Sequence, residues 1–120
     1  MSHIVQIQTQ VRDLAAVRAA CRRLGLEPPQ RRRVRFFSGS AAGWAVQLPG
    51  WQYPVVVDLA SGQVHFDNYE GRWGDRQRLD AFLQAYAVEK TKREARRRGY
   101  RVTERPLADG SIQLRIQVGE

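Results

Sequence analysis

Asp58, His65 and Asp67 are the residues in this chain whose types and spacing come nearest to acid–base or metal chemistry. A two-residue Ser61-Gly62 turn between "YPVVVDL" and "QVHFDN" would set Asp58 opposite His65 and leave Asp67 on the same strand face. Two carboxylates around one imidazole could raise its pKa into the range used for proton transfer, or hold a metal. A cross-strand charge pair on a solvated sheet face has the same sequence. No activated nucleophile accompanies the three, because Ser61 is needed for the turn and Cys21 lies on an apolar stripe. His3 cannot make a metal site alone, and "SGSAAGW" lacks the Lys-Ser or Lys-Thr ending of a phosphate-gripping loop. No catalytic residue, metal or cofactor is expected.

Basic groups are the stronger signal. "KTKREARRRGY" carries Lys90, Lys92, Arg93, Arg96 and Arg97 among its six cations, and "RRRVR" supplies Arg31, Arg32, Arg33 and Arg35. Part of the first run has a local explanation. Glu89 with Arg93 and Glu94 with Arg98 are favourably oriented i, i+4 pairs, each contributing about 0.2–0.5 kcal/mol. Cations in a last helical turn also offset the helix dipole. The second run has no such explanation. Both could be solvated faces, could neutralise nucleic-acid phosphates without reading bases, or could dock on an acidic protein surface.

Trp44, Trp51, Tyr53, Tyr69 and Trp73 crowd the middle of the chain. Trp44, in step with Val46 and Leu48, reads as core, and Trp73 as a plug at the sheet edge. Trp51 and Tyr53, on the proline-bounded loop "LPGWQYP", are the candidates for an exposed aromatic contact surface.

The net charge of +8 is polarised. Arg12 to Arg35 holds eight basic and two acidic residues, and Lys90 to Arg101 holds seven basic residues and Glu94. Each segment is therefore +6, and the rest of the chain sums to −4. Such a layout orients a protein in the field of an anionic partner. With 120 residues the chain makes one domain with a sizeable core. A lone cysteine excludes an intrachain disulfide. The absence of a long apolar run and of an export signal leads to the expectation of a soluble, cytoplasmic protein without membrane contact.

The elements that must position these groups follow from periodicity. "HIVQIQTQV" alternates, with Val5, Ile7, Thr9 and Val11 on one face, so it reads as a half-buried strand. Asp13 can cap a helix whose stripe is Leu14, Val17, Cys21 and Leu24, closed by a left-handed Gly25. "LEPPQRRR" reads as a connector. "VRFF", "WAVQL", "YPVVVDL" and "QVHFDN" read as short strands. In the last two, the Ser61-Gly62 turn would gather Val55, Val57, Leu59, Val64 and Phe66 on one face.

From Asp75 to Gly99 the pattern is one long helix with a bulky stripe (Leu79, Phe82, Leu83, Tyr86) and a small one (Ala81, Ala85, Val88, Ala95). Following the bulky stripe leads to Lys90, Arg93 and Arg97, so the helix must overhang its sheet beyond Glu89 or turn the small stripe inward. Last, "YRVTERPLADGSIQLRIQV" is a hairpin with a three-residue Ala108-Asp109-Gly110 loop, which puts Tyr100 and Val102 on the face of Ile112, Leu114, Ile116 and Val118. The expected fold is α+β: a largely antiparallel sheet of about seven short strands with two helices packed on one face.

"MSHIVQIQTQVRDLAAVRAACRRLGL" and "YAVEKTKREARRRGYRVTERPLADGSIQLRI" together resemble domain-of-unknown-function family 1257. The family includes the hypothetical chloroplast reading frame 35 proteins of plastids and cyanobacteria. The resemblance covers about half the chain, at both ends and in order; Pro28 to Gly74 matches weakly, and Ile4 stands where an aromatic is frequent. It implies a small accessory protein with no established reaction, and an ATPase of the AAA class as partner. The leading expectation is thus a non-enzymatic adaptor whose basic helix end and arginine-rich connector dock on an acidic protein surface. The alternative is a nonspecific nucleic-acid-backbone binder using the same residues. An enzyme built on Asp58, His65 and Asp67 is the third class.

Overall fold

The computed structural model describes residues 5–7 and 10–118. Its elements run β1 (Val5–Ile7), α1 (Leu14–Arg23), β2 (Gln30–Phe36), β3 (Gly39–Val46), β4 (Val55–Asp58), β5 (Gln63–Phe66), α2 (Arg76–Arg97), β6 (Arg101–Pro106) and β7 (Ile112–Gln117). The class is α+β with antiparallel pairing throughout, as expected. The single sheet is corrected. β1-β5-β4-β3-β2 form one sheet, while β6 and β7 form a separate two-stranded ribbon. The sequence after Gly99 departs along α2 rather than back to the sheet, which is why the last hairpin never joins it.

Both helices cover one face of the larger sheet. Val46, Val55, Val57, Val64 and Phe66 meet Val17 and Cys21 of α1 and Leu79, Phe82 and Tyr86 of α2 in one buried cluster. Each fully buried aliphatic or aromatic side chain of this kind contributes about 1.5–3 kcal/mol. Asp13 caps α1, accepting from the Ala16 N–H, and Gly25 is left-handed at its exit. The α1 stripe is rotated from expectation: Ala16 and Ala20 are buried beside Val17 and Cys21, while Leu24 is exposed. Small residues face the core because α1 lies close against α2, where the Tyr86 hydroxyl accepts from the Arg12 and Asp13 N–H groups at 3.1 and 3.2 Å. The expected face of Val5, Ile7 and Thr9, and the strand expected at residues 3, 4, 8 and 9, lie outside the described residues, while Gln10 and Val11 are not in a strand.

The β4–β5 turn is longer than expected. Val57 pairs with Val64 and Asp58 with Gln63, so Leu59–Gly62 make a four-residue loop. The Asp58 carboxylate accepts from the Ala60 N–H, the Gly62 N–H donates to the Asp58 carbonyl, and the Arg12 guanidinium holds the Ala60 and Ser61 carbonyls. A slip of two residues keeps every side chain on its face. The apolar set therefore still gathers, but the Asp58–His65 opposition does not.

β2 starts at Gln30, so Gln30–Arg33 belong to a strand and not to a connector. With β3 it forms a long hairpin that doubles over the second face of the sheet. At about 3.3 Å per residue, a straight strand would carry the Phe36–Gly39 tip roughly 20 Å from the Val46–Val55 end. Yet the Phe36 ring lies 5.9 Å from Tyr53 and the Phe37 ring 5.7 Å from Trp73, at that end. The bend falls at Gly43, where a Cβ would come 2.5 Å from the Val57 carbonyl oxygen. Doubling over seals Val34 and Phe36 against Ala45, Val56 and Tyr53 as a second small core.

Asp75 caps α2 through the Gln77 N–H, and Gly99 is left-handed after it. The helix turns its small stripe inward: Ala85, Val88 and Ala95 are buried along with Leu79, Phe82 and Tyr86. Its second half is covered by the ribbon, not left overhanging. The expected Ala108-Asp109-Gly110 loop is present, with Pro106 opposite Ile112, Gly110 left-handed and the Leu107 N–H bonded to the Ser111 carbonyl. Val102, Ile112 and Leu114 are half-buried on the helix side, while Ile116 and Val118 remain exposed.

Candidate functional site: an arginine ridge on an open sheet edge

Strand alternation sorts the β2 side chains. Val34 and Phe36 point inward to the second core, so Arg33 and Arg35, with Arg31 in step, share the opposite face. Across the hairpin that face carries Ser40, Ala42 and Trp44, opposite Arg35, Arg33 and Arg31 respectively. Small neighbours leave Arg33 and Arg35 standing clear. Arg31, Arg32, Arg33 and Arg35 are all exposed, and among the described residues none forms an ion pair with this chain's carboxylates. Arg33 Nη1 donates to the Ser40 hydroxyl at 3.1 Å. At the start of the strand, Arg31 and Arg32 line a hollow of about 630 Å³ with Gly43, Trp44 and Asp58. The Arg18 guanidinium lies over the Trp44 ring there, 5.5 Å from its centroid.

The helix cluster is a different case. Lys92 Nζ donates to Glu104 at 2.6 Å and to Glu89 at 3.3 Å, and Arg23 bridges the same two carboxylates at 2.6 and 3.1 Å. Lys90 pairs with Glu94 at 2.8 Å, and Arg93 approaches Asp13 at 3.9 Å. Lys90 and Lys92 are thus paired within the chain, and Arg93 Nε lies near Asp13 without a hydrogen bond, so these three offer fewer free donors to an anionic partner than the β2 arginines. The expected Glu89–Arg93 and Glu94–Arg98 pairs give way to these contacts, because Glu89 faces α1 and the ribbon. Hydrogen bonds from Arg23 and then Lys92 hold the Glu104 carboxyl at about 2, well under its ordinary 4.5. Arg96 and Arg97 stay exposed and outside these pairs.

The ribbon carries a basic face that sequence reasoning missed. Arg101, Thr103 and Arg105 on β6 face Gln117, Arg115 and Gln113 on β7, all exposed. The correct register was legible, but only its apolar side was followed; the odd-numbered positions of β6 hold the missed arginines.

Trp51 is buried rather than exposed on a surface. It is 5 % exposed, packs on Phe66 at 5.7 Å, and donates Nε1–H to the Asp75 carbonyl at 3.0 Å. Gly74 is the reason it fits, since a methyl there would fall on the indole ring. Tyr53 is half-buried between Phe36 and Trp73. Trp73 is half-buried at the centre of a ring cluster with Phe37, Tyr53 and Tyr69, and Arg72 lies over Tyr69. Trp44 packs partly buried against the main core.

The acid–base trio is not assembled as expected. Asp58 and His65 are diagonal neighbours, and His65 is opposite Val56. The Ser61 hydroxyl, aided by the Ala60 N–H, holds the Asp58 carboxyl below its usual range. Asp67 is fully buried with neither carboxylate oxygen hydrogen-bonded. No group of three potential metal ligands occurs among the described residues. Burial pushes the Cys21 thiol up to about 11, so it is a poor nucleophile. Among the described residues no helix is long and apolar enough to cross a membrane. No protein-family model, curated protein or solved structure matches the chain.

Proposed function

We propose that this protein is a non-enzymatic adaptor that docks on an acidic surface of a partner protein through Arg31, Arg32, Arg33 and Arg35. The observation that carries the reading is that these four arginines are exposed and unpaired on a strand anchored from beneath by Val34 and Phe36. Cations without carboxylate partners on a rigid element lose little freedom on binding and break no ion pair, so more of each charge-assisted contact appears as affinity. Arg96 and Arg97 are a secondary contact. The ATPase of the AAA class implied by the family resemblance is the first partner to test. Affinity capture from the native cell after nuclease treatment should retain a protein with the natural chain and lose it with Arg33→Glu/Arg35→Glu. Retention by that folded double variant would refute the proposal.

The ribbon favours a second reading, nucleic-acid binding. A two-stranded antiparallel ribbon fits a duplex major groove, and Arg101, Arg105 and Arg115 share its outer face with Thr103, Gln113 and Gln117. Binding of this kind weakens steeply with salt. A duplex that is not retarded at low salt, or is retarded equally by Arg105→Glu/Arg115→Glu, would dismiss it.

A further inference from the structure

We infer that the acidic segment recognised here adds to the free edge of β2 as an extra antiparallel strand, with carboxylates opposite Arg31, Arg32, Arg33 and Arg35. The inference rests on the docking proposal above and specifies its geometry. β2 is the last strand of its sheet, and its one partner is β3. Among the described residues, no backbone group of Gln30–Phe36 bonds outside that pairing. A seven-residue edge strand with one partner leaves about half of its N–H and C=O groups facing outward, a ready template for another strand.

Charge decides which strand can use the template. A second copy of β2 would set arginines beside arginines, and like charges in facing positions are destabilising. An acidic strand meets the opposite condition. Alternate residues on an extended chain are about 6.6 Å apart, so carboxylates at every second position fall into step with Arg31, Arg33 and Arg35. A helical acidic stripe could offer carboxylates at a similar spacing, about 5–6 Å, but it would leave the outward N–H and C=O groups of β2 unpaired, so the open edge favours an extended segment. Arg32 calls for one further carboxylate on the other face, and Val34 and Phe36 call for apolar residues that extend the second core. Read antiparallel to β2, the complementary segment is Val-Glu-Val-Glu-Glu-Glu, from the residue opposite Phe36 to the one opposite Arg31.

The test is titration of the isotope-labelled full chain with that hexapeptide, acetylated and amidated. Two further peptides carry N-methyl groups on one or the other alternating set of amides. Strand addition predicts that alternate amides of Gln30–Phe36 become at least tenfold more protected from exchange. It also predicts that one methylated peptide binds at least tenfold more weakly, while the other keeps most of its affinity. If both methylated peptides bind like the parent and Arg33→Glu/Arg35→Glu still abolishes binding, strand addition is overturned and acidic docking stands. If none of the peptides binds at low salt, or only duplex DNA does, both proposals fall.

Discussion

Replacing Glu104 by Gln should loosen the C-terminal ribbon from α2 in a pH-dependent way. Glu104 on β6 accepts at 2.6 Å from both Arg23 of α1 and Lys92 of α2, so one carboxylate ties three elements together. Its carboxyl is held at about 2 against an ordinary 4.5. A difference of about 2.5 units at about 1.36 kcal/mol each would set a ceiling near 3 kcal/mol. The Glu104 side chain is 25 % and Arg23 29 % exposed, and water screens such pairs, so the expected loss is about 1–2 kcal/mol. With a urea slope of about 2 kcal/mol per M for a small protein, the midpoint should fall by roughly 0.5–1 M at pH 7.

The sign of the pH dependence follows from the depressed folded value. The stabilisation is complete above the unfolded carboxyl's 4.5, declines as pH falls through the interval to about 2, and is gone below it. The natural chain and Glu104→Gln should therefore converge in stability near pH 2. Urea unfolding at pH 7, 4 and 2 is the assay, with amide exchange on Arg101–Pro106 as the local readout. Equal stability at pH 7, or a gap that persists undiminished at pH 2, would refute the assignment of the ribbon's anchorage to this carboxylate.

Three further outcomes follow from packing. Gly43→Ala forces a methyl against the Val57 carbonyl at the hairpin bend, so it should cost about 1–3 kcal/mol and raise the exposure of Phe36, seen as faster exchange in β2. Asp67→Asn should not destabilise and should raise the urea midpoint, because the buried carboxylate has no hydrogen-bond partner to lose; a fall of 1 kcal/mol or so would show a hidden partner. Trp51→Phe removes one of two donors to the Asp75 carbonyl, the Arg78 N–H remaining, and the loss of about 1 kcal/mol is measurable by thermal unfolding with near-ultraviolet dichroism.

Elements defined by local chemistry were legible in the sequence. Asp13 and Asp75 cap the helices, Gly25 and Gly99 end them, and Ala108-Asp109-Gly110 sets the ribbon register, all through interactions within a few residues. The β4–β5 register was not legible, because a slip of two preserves the apolar face and only the tertiary grip of Arg12 on Ala60 and Ser61 separates the alternatives. The bend at Gly43 and the second core leave no periodic signature. They depend on contacts between Phe36 and Tyr53, far apart in sequence. The basic runs illustrate the limit most directly. Lys92 and Arg33 look alike in composition, yet one meets Glu89 and Glu104 and the other meets no carboxylate. Which cations stay free is a property of the assembled fold.

The central claim is that the arginines of β2, ahead of those of the ribbon and the helix end, make the primary contact with the anionic partner. Chemical-shift mapping on the labelled full chain tests it, with a glutamate-rich peptide and a random-sequence DNA duplex titrated separately at about 150 mM salt, where exposed charges more than about 8 Å apart are screened. The account predicts that the peptide shifts resonances from Gln30 to Phe36 and that Arg33→Glu/Arg35→Glu abolishes those shifts. Shifts confined to Arg96–Arg115, or produced by the duplex alone, would contradict it.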